Sequence, residues 1–162
     1  MAARDRSWRV RAVLAEQWPE LQKVFGPEVT KTELISTLTG LLQDQEAEVR
    51  AQATLRLPTV GATLESGERR QLVLSILPKI AEVCGDISSH VRIAMSTVIG
   101  QLAVMIGKES SIADLIPLLV RLLKDEVWCY SVSLLTVTRA RTAILCSVLT
   151  VPHTGCRSPR CG

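Results

Sequence analysis

The sequence predicts an all-α solenoid of stacked antiparallel helix pairs, and three observations carry the prediction. The pattern Asp, four residues, Val, Arg occurs as Asp5 to Arg11, Asp44 to Arg50 and Asp86 to Arg92, and a further Asp stands in register at Asp125. The Asp-to-Asp spacings are 39, 42 and 39 residues, within the period of roughly 40 that helical-pair repeats use. Counted from each Val, positions +4, +8, +11 and +15 are apolar almost throughout: Leu14, Trp18, Leu21, Phe25; Ala53, Leu57, Val60, Leu64; Met95, Ile99, Leu102, Ile106. Such steps mark one stripe of an α-helix.

A second helix lies ahead of each Asp-bearing turn. Offsets −10, −6, −3 and −2 give Leu34, Leu38, Leu41, Leu42, then Ile76, Ile80, Val83, Cys84, then Leu115, Leu119, Leu122, Leu123. Each unit is therefore helix A, a turn, and helix B. Neither helix can bury its stripe alone, so successive units must stack.

The first unit is half a repeat. Asp5 is expected to cap a helix B that Gly26-Pro27 stops. Arg11, Arg50 and Arg92 recur beside the turns, which predicts an Asp–Arg ladder of exposed pairs, acting as a register device rather than a main support. Helix A of the second unit is expected to start near Thr32, with Thr32 as its cap. Pro78 and Pro117 share offset −8, and Pro19, Pro58 and Gly100 share offset +9. Each marks either a tolerated kink or a break between two short helices. The stretches 26–30, 65–68 and 107–111 read as connectors between units.

The fourth unit stops in mid-pattern. Where a Val-Arg pair is due, the chain has Tyr130-Ser131, and beyond Glu126 there is neither an acidic residue nor a Lys. Residues 1–126 are expected to form the array (half unit, two full units, half unit), and residues 127–162 an aberrant or disordered tail. Because the change falls inside a repeat, a foreign reading frame explains it; Val127 directly after Glu126 suits an unspliced intron that opens with GT. With one unpaired helix at each end, stripes containing Leu14, Trp18, Leu119 and Leu122 are expected to lie open.

Composition narrows the function. Aromatic residues make up 3% of the 162-residue chain and the net charge is +3. Residues 1–126 carry 16 acidic and 15 basic side chains, so the body has no electrostatic footprint for nucleic acid. The N-terminus lacks the apolar run of a secretory signal, and no stretch of eighteen apolar residues offers a membrane span. A cytoplasmic protein is expected, with the nucleus as the other compartment. Cys84, the single cysteine of the body, stands at a core offset. Tail residues Cys129, Cys146, Cys156, Cys161 and His153 lack the close paired spacing of structural zinc sites. No Gly-rich phosphate loop or His-activated nucleophile occurs, so no catalytic residue, cofactor or metal is expected.

Together these offsets and residues resemble HEAT repeats, and longer runs narrow the resemblance. Ser7-Trp-Arg-Val-Arg11, the stretch 20–33, Glu46-Ala-Glu-Val-Arg50 and Gly107-Lys-Glu109 are similar to the regulatory scaffold family of serine/threonine protein phosphatase 2A. The similarity covers roughly residues 5–126 and departs at Pro19 and in 54–68. It implies a non-catalytic scaffold that binds protein partners along the ridge of loops between helix A and helix B. That ridge would present Trp8 and Arg9, then Glu46 and Glu48, then Ser88, Ser89 and His90. The implied partner is a phosphatase regulatory subunit, because the repeats that would hold the catalytic subunit are absent. Two other readings fit the same residues: a HEAT adaptor or transport-receptor fragment, and a non-functional product of a truncated gene. Taken residue by residue, Trp8 is either a binding anchor or packed over the next turn. His90 reads as a solvated loop residue, and Glu46, Glu48 and Arg50 as a solvated ridge.

Overall fold

The computed structural model describes residues 2–123 apart from 61, 108 and 110, so the expected tail lies outside the described residues. A 3₁₀ turn, Ala2–Arg4, precedes α1 (Trp8–Glu16) and α2 (Trp18–Val29). A π-type turn, Thr30–Leu34, leads into α3 (Ile35–Leu41). Then come α4 (Ala47–Arg56), a 3₁₀ turn Leu57–Thr59, α5 (Ser66–Ser75) and α6 (Leu77–Val83). The long α7 (Ser89–Ile106), a second π-type turn (Ser111–Leu115) and α8 (Ile116–Leu123) complete the series. No strand occurs among the described residues, and the all-α solenoid expected from the periodicity is the fold observed.

Helix B of one unit packs on helix B of the next, α1 against α4 and α4 against α7, while α3 closes on α4 and both α5 and α6 close on α7. The stripes point where the register places them. Ala53, Leu57, Val60 and Leu64 are buried, as are Met95, Ile99, Leu102 and Ile106. From the A helices Leu38, Leu41, Leu42, Ile80, Val83, Cys84, Leu115 and Leu122 join the same core. Large side chains removed from water in this way each contribute about 1.5–3 kcal/mol. By length and composition α7 also meets the measure of a membrane span, although no unbroken apolar stretch of the sequence marks it as one. Its apolar side chains, however, pack against α4, α5 and α6, the environment of a core helix.

The prolines settle between kink and break by helix-end chemistry. Pro19 opens α2 just after a break at Gln17, Pro78 opens α6 after Ile76, and Pro58 lies in the 3₁₀ turn that ends α4. Pro117 is the second residue of α8. At Pro19 and Pro78 the missing N–H falls in a first turn and costs nothing, so each divides two short helices instead of bending one; Pro117 instead follows the second π-type turn without a gap in the helical run. At the same offset Gly100 keeps its N–H, and α7 runs through it unbroken.

Several expected boundaries move. Thr32 is not a cap: the helical chain restarts at Pro27, and the Thr32 hydroxyl donates back to the Glu28 carbonyl at 3.1 Å. The break lies at Gly26, with φ 77° and ψ −179°, a backbone region in practice restricted to glycine. Gly107 repeats it with φ 84° and ψ 169°. In both places a hydroxyl four residues on donates to the glycine carbonyl, Thr30 at 2.7 Å and Ser111 at 2.6 Å, and the π-type turn starts at that hydroxyl residue. Residues 66–68, expected in a connector, form the first turn of α5, because Glu65 already has the extended angles of an N-cap.

The stripes expected to lie open also differ from expectation. Trp18 and Leu122 are fully buried, and Leu14 and Leu119 are half-buried against the core. The apolar side chains that face solvent in the first unit are Val10, Val13, Val24 and Phe25. Trp18 escapes exposure because α2 turns its start inward, and its indole Nε1 is buried without a hydrogen-bond partner.

Candidate partner-binding ridge

The three Asp-bearing turns share one construction. In each, a carboxylate oxygen accepts the backbone N–H two residues on: Asp5 from Ser7 at 2.8 Å, Asp44 from Glu46 at 3.0 Å, Asp86 from Ser88 at 2.8 Å. This corrects the expectation that Asp5 caps the helix. The N-cap position belongs to Ser7, Glu46 and Ser88, whose side chains make no capping bond. Each Asp instead fixes the turn that delivers the chain to the cap.

The arginine after each Val stitches this turn to its own helix. Arg11 Nη1 donates to the Asp5 carbonyl at 2.7 Å, Arg50 Nη1 to Asp44 at 2.8 Å and Arg92 Nη1 to Asp86 at 2.8 Å. The remaining fork crosses to the next unit. Arg11 grips Asp44 through Nε at 2.6 Å and Nη2 at 2.8 Å; Arg50 grips Asp86 through Nε at 2.7 Å and Nη2 at 2.8 Å. The ladder is present, but its rungs are mostly shielded rather than exposed, with side chains only 9–13% accessible. The reason is geometric: each rung lies in the crevice between two packed B helices. Burial alone would raise the Asp44 and Asp86 carboxyls. The facing guanidinium and the turn N–H outweigh it and hold both below the usual 3.8.

On this frame the seven ridge residues occupy distinct positions. Trp8 is the first residue of α1, half-buried against the core, and the exposed Arg9 guanidinium lies 4.7 Å from its ring centroid. The indole is thus both packed and accessible, and neither reading of it alone suffices. Glu46 is exposed at the N-cap of α4, and Glu48 lies in the first turn. Ser88 is the N-cap of α7, with Ser89 and His90 exposed in the turn that follows.

The structure brings Glu48 and His90 together, which the sequence did not foresee. His90 Nε2 lies 3.3 Å from Glu48 Oε2, so His90 is a helical residue with a partner in the preceding unit and not a solitary loop side chain. Trp8 and Arg9 form a second, separate group one unit away. Sequence reasoning passed over Ile87, which stands 95% exposed at the tip of the third turn. Its signal was available: the same place in the first two copies is polar, Arg6 and Gln45. No group of three or more metal-ligating side chains occurs among the described residues. Cys84 is buried at its core offset, and burial pushes its thiol up to about 11.

Known proteins carry the same sequence pattern. The chain is 43% identical over 111 residues, 68% of its length, to the beta isoform of the 65 kDa regulatory A-type component of serine/threonine-protein phosphatase 2A from Homo sapiens. It is 41% identical over 60 residues, 37% of its length, to the isoform of the same name from Mus musculus. It spans 18% of the human relative and 10% of the mouse one. The model of the PPP2R1A-like HEAT repeat matches residues 27–107, from the proline that opens the second unit to the glycine that closes α7. By its repeat register, its ladder and this match, the chain belongs to the PPP2R1A-like HEAT repeat family.

Proposed function

We propose that the chain is a non-catalytic scaffold segment of a serine/threonine protein phosphatase 2A assembly, binding a regulatory protein along the ridge of Trp8, Arg9, Glu46, Glu48, Ser88, Ser89 and His90. The observation that carries this reading is the ladder. Arg11–Asp44 and Arg50–Asp86 hold three successive turns in one register, so their first helical turns present side chains as a fixed row. A row held by the fold suits an extended protein partner, which gains affinity when little ordering is left to do. Support also comes from the relatives, which are named as regulatory subunits of that phosphatase. Residues 1–126 act as the binding array in this proposal, residues 127–162 contribute nothing to it, and the protein resides in the cytoplasm or nucleus.

Affinity capture from cell lysate tests the reading, with the full chain, residues 1–126, and the full chain carrying Trp8→Ala and Glu48→Lys as baits. Recovery of phosphatase 2A regulatory subunits by the first two baits and their loss from the third is expected. Recovery of transport cargo or other proteins in their place, or equal recovery by all three baits, would sink it.

A further inference from the structure

The tip of each Asp-bearing turn is the residue directly after the Asp: Arg6, Gln45 and Ile87. Two bonds fix the chain around it. The Asp carboxylate accepts the N–H of the residue that follows the tip. The arginine of the Val-Arg pair holds the tip carbonyl itself: Arg11 Nη1 on Arg6 at 3.3 Å, Arg50 Nη1 on Gln45 at 2.9 Å and Arg92 Nη1 on Ile87 at 3.2 Å. The three side chains, by contrast, are all exposed, and among the described residues none of them makes a hydrogen bond or an ion pair. This exposure is built into the turn. Gln45 has a packed unit on each side, with α1 and α7 both against α4, and is exposed nonetheless. The backbone is thus repeated and pinned, while the side chain changes from cation to amide to aliphatic. Ile87 is the extreme case, 95% exposed on a turn that is already ordered. An aliphatic group presented in this way leaves water on contact with a partner and loses little backbone freedom in doing so.

We infer that the three tips read the identity of the partner, with Ile87 as its apolar anchor and Arg6 as its charge contact. The tips extend the ridge proposed above by residues that its row leaves out, and their role stands only if that ridge binds a regulatory protein. Packed helices lie about 8–10 Å apart, so tips two units apart are separated by roughly 16–20 Å. An extended chain covers that length in about five or six residues. The partner is therefore a regulatory protein whose extended segment sets a carboxylate against Arg6 and, about five or six residues away, a large apolar side chain over Ile87. Between them the Gln45 amide, donor at one atom and acceptor at the other, suits the backbone of such a segment.

Quantitative capture of phosphatase 2A regulatory subunits from cell lysate, with full-chain variants as limiting baits, tests the inference. Ile87→Ala should reduce recovery roughly tenfold, Ile87→Asp should abolish it and Ile87→Leu should retain it. Arg6→Glu should also reduce recovery, and its deficit should shrink as salt is raised, whereas that of Ile87→Ala should not. Urea midpoints of all four variants should equal that of the unaltered chain, because none of the replaced side chains is packed; a lowered midpoint would make the tips structural and overturn the inference. Recovery that is lost with Trp8→Ala and Glu48→Lys but unchanged in the tip variants would overturn the inference and leave the ridge reading standing. No recovery by the unaltered chain would overturn both. Self-association of the full chain, abolished by Ile87→Asp, would give Ile87 to a second copy and overturn its assignment to a regulatory protein.

Discussion

Arg50 and Asp86 are joined by two parallel hydrogen bonds of 2.7 and 2.8 Å across a crevice between packed helices. The same guanidinium closes its own turn on the carbonyls of Asp44 and Gln45, so one side chain ties both ends of a repeat junction. Because both partners are largely shielded, the pair should couple more strongly than an open surface pair. A double-mutant cycle of Arg50→Ala and Asp86→Ala, followed by urea unfolding, should give a coupling on the order of 1 kcal/mol. Leu102→Ala, which opens a cavity at a fully buried position, should cost about 2–5 kcal/mol. The order of the two results separates the device that sets register from the burial that holds the stack together.

Gly26 and Gly107 occupy nearly the same backbone conformation, which side chains with a Cβ avoid. An added Cβ at Gly26 would meet no other atom within 4 Å. Gly26→Ala should therefore destabilise through the backbone alone, by about 1–3 kcal/mol. Gly40→Ala, in the last turn of α3 with equal space around it and ordinary helical angles, should stabilise or be neutral. Urea midpoints of the two variants test the contrast.

Stability should fall in acid with a defined sign. Asp44 and Asp86 have their folded-state values depressed below 3.8, so each contributes stability that is present above that pH. As pH drops below about 4, the unfolded chain binds protons that the folded chain still refuses, and the contribution is lost through the folded values. The urea midpoint should be nearly flat from pH 7 to about 5 and then decline. The double variant Asp44→Asn, Asp86→Asn should start lower and decline less. An unchanged acid slope in that variant would show that other groups set it.

Cys84 should be chemically silent in the folded chain. Its thiol is buried and raised to about 11, so little thiolate exists at neutral pH and none of it is open to reagent. Iodoacetamide at pH 8, followed by peptide mapping, should leave Cys84 unmodified without urea and alkylate it fully above the unfolding midpoint. Labelling at equal rates in both conditions would contradict the packed core at α6.

The sequence by itself determined the fold class, the repeat register and the identity of the rungs. These follow from spacing: a period near 40 residues and an apolar stripe at helical steps leave stacking of helix pairs as the way to bury both faces, and Asp–Arg pairs recur wherever the register recurs. The ridge residues came from the family resemblance as loop positions, whereas Trp8, Arg9, Glu48, Ser89 and His90 stand in first helical turns. Only the tertiary structure decided how these parts meet. Whether a proline kinks or breaks depended on its distance from a helix start that neighbouring packing sets. Trp18 is buried and Val10 exposed because burial depends on which elements pack beside a helix, which no stripe in one helix records. The Glu48–His90 contact joins residues 42 positions apart, and such a distance becomes short only after two B helices have packed side by side.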